Sequence, residues 1–114
     1  MKIDSNLFDK IVDNTIEDRD YFMTMEDEKG SWIQITSSSI NLYYPSSLTP
    51  EELLREQEIP LPEGVKINAH EAKKYLTLGY DIFKSRNEII QIIDLYVTKV
   101  LLSNIESSWH ITEG

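Results

Sequence analysis

The sequence predicts a single α+β domain in which helices pack against an antiparallel sheet. Three observations lead to this prediction: a helical repeat of apolar residues near the N-terminus, alternating apolar and polar residues in the next third, and a long apolar segment after residue 85. A chain of 114 residues that is 40% hydrophobic is long enough to build one buried core. We therefore expect one domain over residues 1–114.

Residues 5–18 are predicted to form an amphipathic helix. Apolar residues recur there at the three- and four-residue spacing of one helical face, and acidic residues occupy most of the other positions. The apolar positions are Leu7, Phe8, Ile11, Val12 and Ile16. This N-terminal helix is expected to lay its apolar face on the sheet.

Three strands are predicted to follow, joined as an antiparallel meander. Apolar and polar residues alternate over residues 21–26, 32–35 and 40–44. The third alternation stops at Pro45, because proline has no N–H to donate to a sheet hydrogen bond. Gly30 suits the turn between the first two strands, because glycine readily adopts a positive φ.

The second half is predicted to contain two short helices and a long buried C-terminal helix packed on the sheet. The first short helix is predicted to start after Thr49, which can cap it. Proline suits the first helical position, occupied by Pro50, and Glu52 completes a capping box with Thr49. Residues 68–79 are predicted as the second helix, ended by a glycine. Residues 85–102 open with another capping box and carry apolar side chains around most of the helical circumference, which favours a central position.

The sequence contains no motif that is typical of catalysis or metal binding. There is no cysteine, and His70 and His110 lie forty residues apart, so neither a thiolate site nor a paired-histidine site is expected. The glycines form no phosphate-binding loop, and residues 37–39 lack the Gly-x-Ser-x-Gly context of a hydrolase nucleophile. We therefore expect a protein that is not an enzyme, with no catalytic residue, no metal site and no cofactor.

The distribution of charge tells more about function than the motifs do, because the charge is uneven along the chain. The chain has 11 basic and 20 acidic residues, a formal net charge of −9. Residues 1–63 hold fourteen acids and five bases, whereas residues 64–114 hold six of each. Such a balance disfavours nucleic acid and anionic membrane as partners. No apolar run reaches the ~20 residues that span a bilayer, and the N-terminus lacks a signal peptide's apolar segment, so a cytoplasmic location is expected.

The uneven charge predicts an electrostatic surface for a basic protein partner. The candidate contacts are acids near the first helix end, the first hairpin and the residue 49–58 helix, with two adjacent tyrosines, one of which must lie on the less buried sheet face. These candidates are Glu17, Asp18, Asp20, Asp27, Glu28, Glu51, Glu52, Glu56, Tyr43 and Tyr44. The alternative explanation is a solvated acidic surface without a partner, with the tyrosines at the edge of the core.

The order of elements resembles the type III secretion chaperone-like fold, the group that includes YbjN-like proteins. The resemblance rests on the first helix, the strand at residues 32–35, and the segment 75–80, whose Leu-Gly-aromatic end precedes the long closing helix. It covers residues 7–102. The resemblance implies a binding fold with no catalytic residues.

Small, acidic, cysteine-free domains are also similar, as a class, to bacterial immunity proteins of contact-dependent growth inhibition and toxin–antitoxin systems. That resemblance implies neutralisation of a secreted toxin, often a basic nuclease, by an acidic surface that occludes the active cleft. A monomer is expected in this case. The fold resemblance implies the alternative, a chaperone for a secreted protein that works as a homodimer with an exposed apolar groove.

Overall fold

The computed structural model describes residues 5–103 and 109–113, which form three helices and six strands. The helices are α1 (Ser5–Glu17), α2 (Pro50–Glu56) and α3 (Arg86–Lys99). The strands are β1 (Met23–Glu26), β2 (Trp32–Ile35), β3 (Ser39–Tyr43), β4 (Lys66–Glu71), β5 (Tyr75–Gly79) and β6 (His110–Glu113). The predicted α+β class is therefore confirmed.

All six strands join one antiparallel sheet in the order β4-β5-β3-β2-β1-β6. The first three strands pair in sequence, β1 with β2 and β2 with β3. The chain then passes through α2, and the hairpin β4–β5 adds to the free edge of β3. Finally, β6 pairs with the other edge, along β1. The sheet is thus twice as wide as the three predicted strands.

The predicted helix over residues 68–79 is wrong, because this segment belongs to the hairpin β4–β5. Leu76 and Leu78 are buried while their neighbours in β5 are partly exposed, which is the two-residue period of a strand. Lys73, in the turn, has a φ of 65°, which a right-handed helix does not contain. Pairing along the whole of β3 outweighs the local helix-start signal, since strand formation depends on cross-strand packing.

The long helix differs from the prediction in extent and in position. α3 ends at Lys99 and is followed by β6, so it is not the last element. The predicted cap at Ser85 makes no side-chain hydrogen bond to the helix, whereas Thr49 does cap α2 by accepting the N–H of Glu52. One face of α3 is buried, through Ile89, Ile92, Ile93, Tyr96 and Val97. None of the described helices has the length and apolar character needed to cross a membrane.

The helices and one face of the sheet share a single hydrophobic core. The sheet contributes alternate residues of four strands, namely Met23, Met25, Ile33, Ile35, Ile40, Leu42, Leu76 and Leu78. The residues between them are only partly buried or are exposed. In the described part of the chain the molecule therefore has two layers, and the second face of the sheet has no helix over it.

We expect Ile93→Ala to destabilise the fold strongly, because Ile93 is fully buried in α3. Truncating a buried isoleucine to alanine costs ~2–5 kcal/mol through lost burial and the cavity left behind. Thermal and urea unfolding measure the effect, with Gln91→Ala on the exposed side of α3 as the control. A melting temperature of Ile93→Ala within error of the parent would contradict this position in the core.

Candidate functional site

The uncovered sheet face carries two rows of side chains that run across the strands. In an antiparallel sheet, directly opposed residues point to the same face. One row, which we call the polar row, consists of Ala69, Thr77, Asn41, Gln34, Thr24 and Thr112. The next, which we call the aromatic row, consists of Glu71, Tyr75, Tyr43, Trp32, Glu26 and His110. Ile33 is paired with Leu42 in the antiparallel strands β2 and β3. The next residues along the two strands, Trp32 and Tyr43, are therefore also opposed.

The polar row is connected by side-chain hydrogen bonds. The Thr77 hydroxyl donates to Asn41 Oδ1 at 2.6 Å, and Asn41 Nδ2 donates to Gln34 Oε1 at 2.9 Å. Gln34 Nε2 lies 3.5 Å from the Thr24 hydroxyl, which makes the last link the weakest. The chain of bonds crosses β5, β3, β2 and β1, so these side chains hold fixed orientations beside the aromatic row.

The aromatic row is a band of rings with a carboxylate at either end. Trp32, Tyr43 and Tyr75 are each partly buried, and Glu26 and Glu71 are exposed. Neighbouring strands lie about 4.8 Å apart, so the three rings occupy a band roughly 10 Å wide. The arrangement offers flat apolar surface at its centre and negative charge at both margins.

An acidic cleft lies where the β1–β2 turn meets the start of β6. It encloses about 420 Å³ and is lined by Glu26, Asp27, Glu28, Trp109 and His110. Asp27 is engaged in the turn, since its Oδ1 accepts the backbone N–H groups of Lys29 and Ser31, each at 2.9 Å. Glu26 and Glu28 are exposed and supply the accessible charge of the cleft.

The structure divides the predicted acidic contacts between two ends of the sheet. Five lie at the end where the β1–β2 turn and the end of β3 meet, namely Asp27, Glu28, Glu51, Glu52 and Glu56. Three lie at the end of α1 and in its connection to β1, toward the opposite end, namely Glu17, Asp18 and Asp20. β1 spans about 10 Å between these ends, so the eight acids form two groups and not one continuous patch.

The two predicted tyrosines have different environments. Tyr44 is fully buried, and its hydroxyl donates to the backbone oxygen of Leu48 at 2.6 Å. Tyr43 lies on the uncovered face, and its backbone oxygen accepts the hydroxyl of Tyr96 at 2.7 Å. One of the pair does lie on the less buried face, and Tyr44 supports the segment before α2 without being accessible to a partner.

Sequence reasoning did not select several members of the aromatic row. These are Trp32, Tyr75, Glu26, Glu71 and His110. The alternation over residues 75–80 was the available signal for β5, and reading it as a strand would have placed Tyr75 beside Tyr43. The position of Glu71 and His110 depends on pairing between distant strands, which a local pattern does not reveal.

Comparisons with protein-family models, with curated proteins and with solved structures find no match for this chain. Among residues 5–103 and 109–113, no group of three or more His, Cys, Asp or Glu side chains is placed to hold a metal ion. The uncovered face and the cleft offer aromatic rings, hydrogen-bonded amides and carboxylates.

We expect the fold to be independent of bound metal, because its stability comes from one apolar core and a continuous sheet. Differential scanning fluorimetry with and without EDTA should give the same melting temperature. A fall of several degrees in EDTA, reversed by adding back a divalent cation, would show that an ion supports the structure.

Buried tyrosines give an expected loss of stability at alkaline pH. Burial raises the pKa of Tyr80 and of Tyr96 well above the ordinary value of 10.0. Above about pH 10 the unfolded chain releases these protons while the folded chain retains them, so the free energy of unfolding falls with pH by up to ~1.4 kcal/mol per pH unit for each tyrosine. Urea titrations on both sides of that pH should show a shallower fall for Tyr96→Phe. An identical fall in parent and variant would contradict this assignment.

Proposed function

We propose that this protein is a non-catalytic inhibitor that binds a basic protein and occludes its functional cleft with an acidic surface. The observation that supports this most directly is the concentration of exposed carboxylates at one end of the sheet, around the cleft and on α2. These carboxylates belong to Glu26, Glu28, Glu51, Glu52 and Glu56. We call them the acidic end.

Two of the basic side chains near the acidic end, Lys29 and Lys99, are directed at backbone oxygens, and a third, Arg55, is exposed on α2. Lys29 Nζ donates to Leu102 O at 2.7 Å, and Lys99 Nζ donates to Gln57 O at 2.8 Å. No ion pair between two described residues involves a carboxylate of the acidic end. These acids therefore present negative charge to an approaching partner, over the roughly 8 Å that screening allows at physiological salt.

The charge suggests the class of partner. A nuclease carries lysine and arginine in the cleft that binds the phosphate backbone, and a rigid group of carboxylates can occupy the same cleft. Together with the resemblance to immunity proteins, this favours a cognate secreted toxin of the contact-dependent growth inhibition type. Inhibition would be steric and electrostatic, and would need no chemistry from this chain.

The acids of α2 are suited to steering the encounter. Glu52 and Glu56 are four residues apart on a helix, so they lie one turn apart on the same face, and both are exposed. Exposed charges at the margin of an interface act mainly on the association rate, whereas desolvated charges at its centre act on dissociation. We assign Glu52 and Glu56 to the first role.

Exposed apolar side chains favour one second candidate, a chaperone for a secreted protein. Phe83 is 76% exposed, Ile16 80% and Leu102 70%. A contiguous exposed apolar patch is commonly used to hold a partner, and in this second candidate function a dimer would have to bring such side chains together. A chaperone of the resembled fold would be a stable homodimer, and the inhibitor a monomer, so sedimentation equilibrium distinguishes the two functions.

We expect Glu52→Lys combined with Glu56→Lys to slow association with the basic partner about tenfold at low salt and to flatten the salt dependence of the rate. The experiment uses a partner captured from the native organism and stopped-flow measurements across a salt series. The fold should survive, because exposed helix charges contribute only ~0.2–1 kcal/mol.

The matched control is Glu63→Lys combined with Glu88→Lys, which makes the same change in net charge at exposed positions outside the acidic end. An unchanged rate and salt slope for the α2 variant would contradict the role given to this helix. Equal slowing by both variants would show that net charge alone governs the encounter.

A further inference from the structure

We propose that the aromatic row is a receptor for arginine side chains, with the guanidinium stacked on Trp32, Tyr43 or Tyr75 and its N–H groups directed at Glu26 or Glu71. The inference rests on the proposed function, because it requires a partner with basic side chains. It adds the place on the surface, the residues and the preferred cation.

The register brings a carboxylate next to each terminal ring. Glu26 pairs with Trp32 across β1 and β2, and Glu71 pairs with Tyr75 across β4 and β5. Directly opposed residues of antiparallel strands have Cβ atoms about 4.5–5.5 Å apart. A planar cation on either ring therefore lies within reach of a carboxylate on the neighbouring strand, and Tyr43 fills the space between the two positions.

Arginine fits this arrangement better than lysine. The guanidinium is planar and weakly hydrated, so it stacks on an aromatic face while its edge donates paired hydrogen bonds to a carboxylate. The lysine ammonium is compact and strongly hydrated, and it can approach a ring or a carboxylate without satisfying both geometries. Rings bordered by acids therefore discriminate between two side chains of equal charge.

Other occupants fit less well. A nucleic acid could stack its bases on the rings, but its phosphates would meet the carboxylates of Glu26 and Glu71. A purely apolar partner would bury these acids without hydrogen bonds, which is costly. A second copy of this chain, related by a two-fold axis, would bring its own Glu26 and Glu71 to the same interface.

Among the described residues, Lys74 competes with an incoming arginine for the carboxylate of Glu71, and this ion pair is weak. Lys74 Nζ lies 3.2 Å from Glu71 Oε1, and the two side chains are 67% and 52% exposed. An ion pair this exposed contributes little, so an arginine that also stacks on Tyr75 can replace it. On the other margin, His110 pairs with Glu26 across β1 and β6 and lies beyond the rings.

Hydrogen bonds order the polar side chains and the backbone next to the rings. The bonds among Thr77, Asn41 and Gln34 fix the polar row, and the bond from Tyr96 to the backbone oxygen of Tyr43 ties the end of β3 to α3. A surface ordered before binding loses less entropy when the partner arrives. Stacking is therefore favoured over a binding mode that must first order this face.

The test uses fluorescence anisotropy of a labelled oligoarginine peptide with the full chain at low ionic strength. Oligolysine of equal length is the charge-matched probe, and oligocitrulline is the neutral analogue of arginine. We expect oligoarginine to bind more tightly than oligolysine, and oligocitrulline not to bind. Trp32→Ala should weaken oligoarginine binding about threefold to tenfold, and Trp32→Phe should restore most of it, because phenylalanine keeps an aromatic face.

A second pair of variants keeps the test valid if Trp32→Ala does not fold. Glu26→Gln combined with Glu71→Gln should weaken oligoarginine binding about tenfold, whereas Glu63→Gln combined with Glu88→Gln, which removes the same charge elsewhere, should weaken it by about twofold or less. All four positions are exposed. The melting temperature of each variant confirms that the fold is intact.

Three binding results would overturn the inference. They are no oligoarginine binding, equal affinity for oligoarginine and oligolysine, or equal weakening by the two glutamine pairs. A dimer that Trp32→Ala dissociates would assign the face to a second copy and would also overturn it. The proposed function stands or falls separately, because its test uses the captured partner and the reversed charges of Glu52 and Glu56.

Discussion

The burial of one sheet face under three helices is the constraint on which the rest of the structure depends. The apolar side chains of the helices and of four strands meet in one core, and the described chain supplies a helix layer on that side only. An antiparallel sheet tolerates such a one-sided arrangement when its other face is compatible with water. The second face must therefore carry polar groups or groups that can be covered by a partner, and here it carries both.

Buried tyrosines connect the core to the loops that shape the surface. The hydroxyls of Tyr44, Tyr80 and Tyr96 donate to backbone oxygens of Leu48, Thr36 and Tyr43. Each ring is part of the core, and each hydroxyl fixes a segment where a strand or turn ends. These hydrogen bonds from the core thus position three segments: the one before α2, the β2–β3 turn and the end of β3. The stability of the core is therefore coupled to the geometry of the uncovered face.

The sequence allows prediction of those elements whose signals are local. The helical spacing of Leu7, Phe8 and Ile11 predicts α1, and all three residues are buried as expected. The capping residues before α2 are equally local. The hairpin β4–β5 was missed because a helix-start signal near residue 68 competes with an alternation only a few residues long, and pairing with β3 decides between them. β6 contains one apolar residue, Ile111, and its other residues are exposed, so no alternation of apolar and polar residues marks the strand.

Some features of the candidate site can also be predicted from local patterns, and others depend on pairing between distant strands. The exposure of Glu28 in the β1–β2 turn and of the acids on α2 follows from local patterns, and so does the opposite orientation of Tyr43 and Tyr44. Local patterns do not show which of the two tyrosines is buried. That depends on the register of strands that are distant in sequence, and so does the alignment of Trp32, Tyr43 and Tyr75 in one row. Such a row exists only in the folded sheet, so a linear pattern cannot display it.

The central claim is that the arginine side chains of a partner stack on the aromatic row, while the acidic end, which includes the cleft beside β6, supplies the charge that attracts them. The two tryptophans report on the two places, since Trp32 lies in the aromatic row and Trp109 is buried at the cleft. Their indole N–H signals can be followed by NMR while oligoarginine is added to the full chain. We expect the Trp32 signal to shift progressively and by more than the Trp109 signal, because the row and the cleft share only Glu26 and His110. A shift of Trp109 with Trp32 unmoved would place the cation in the cleft and would contradict the account.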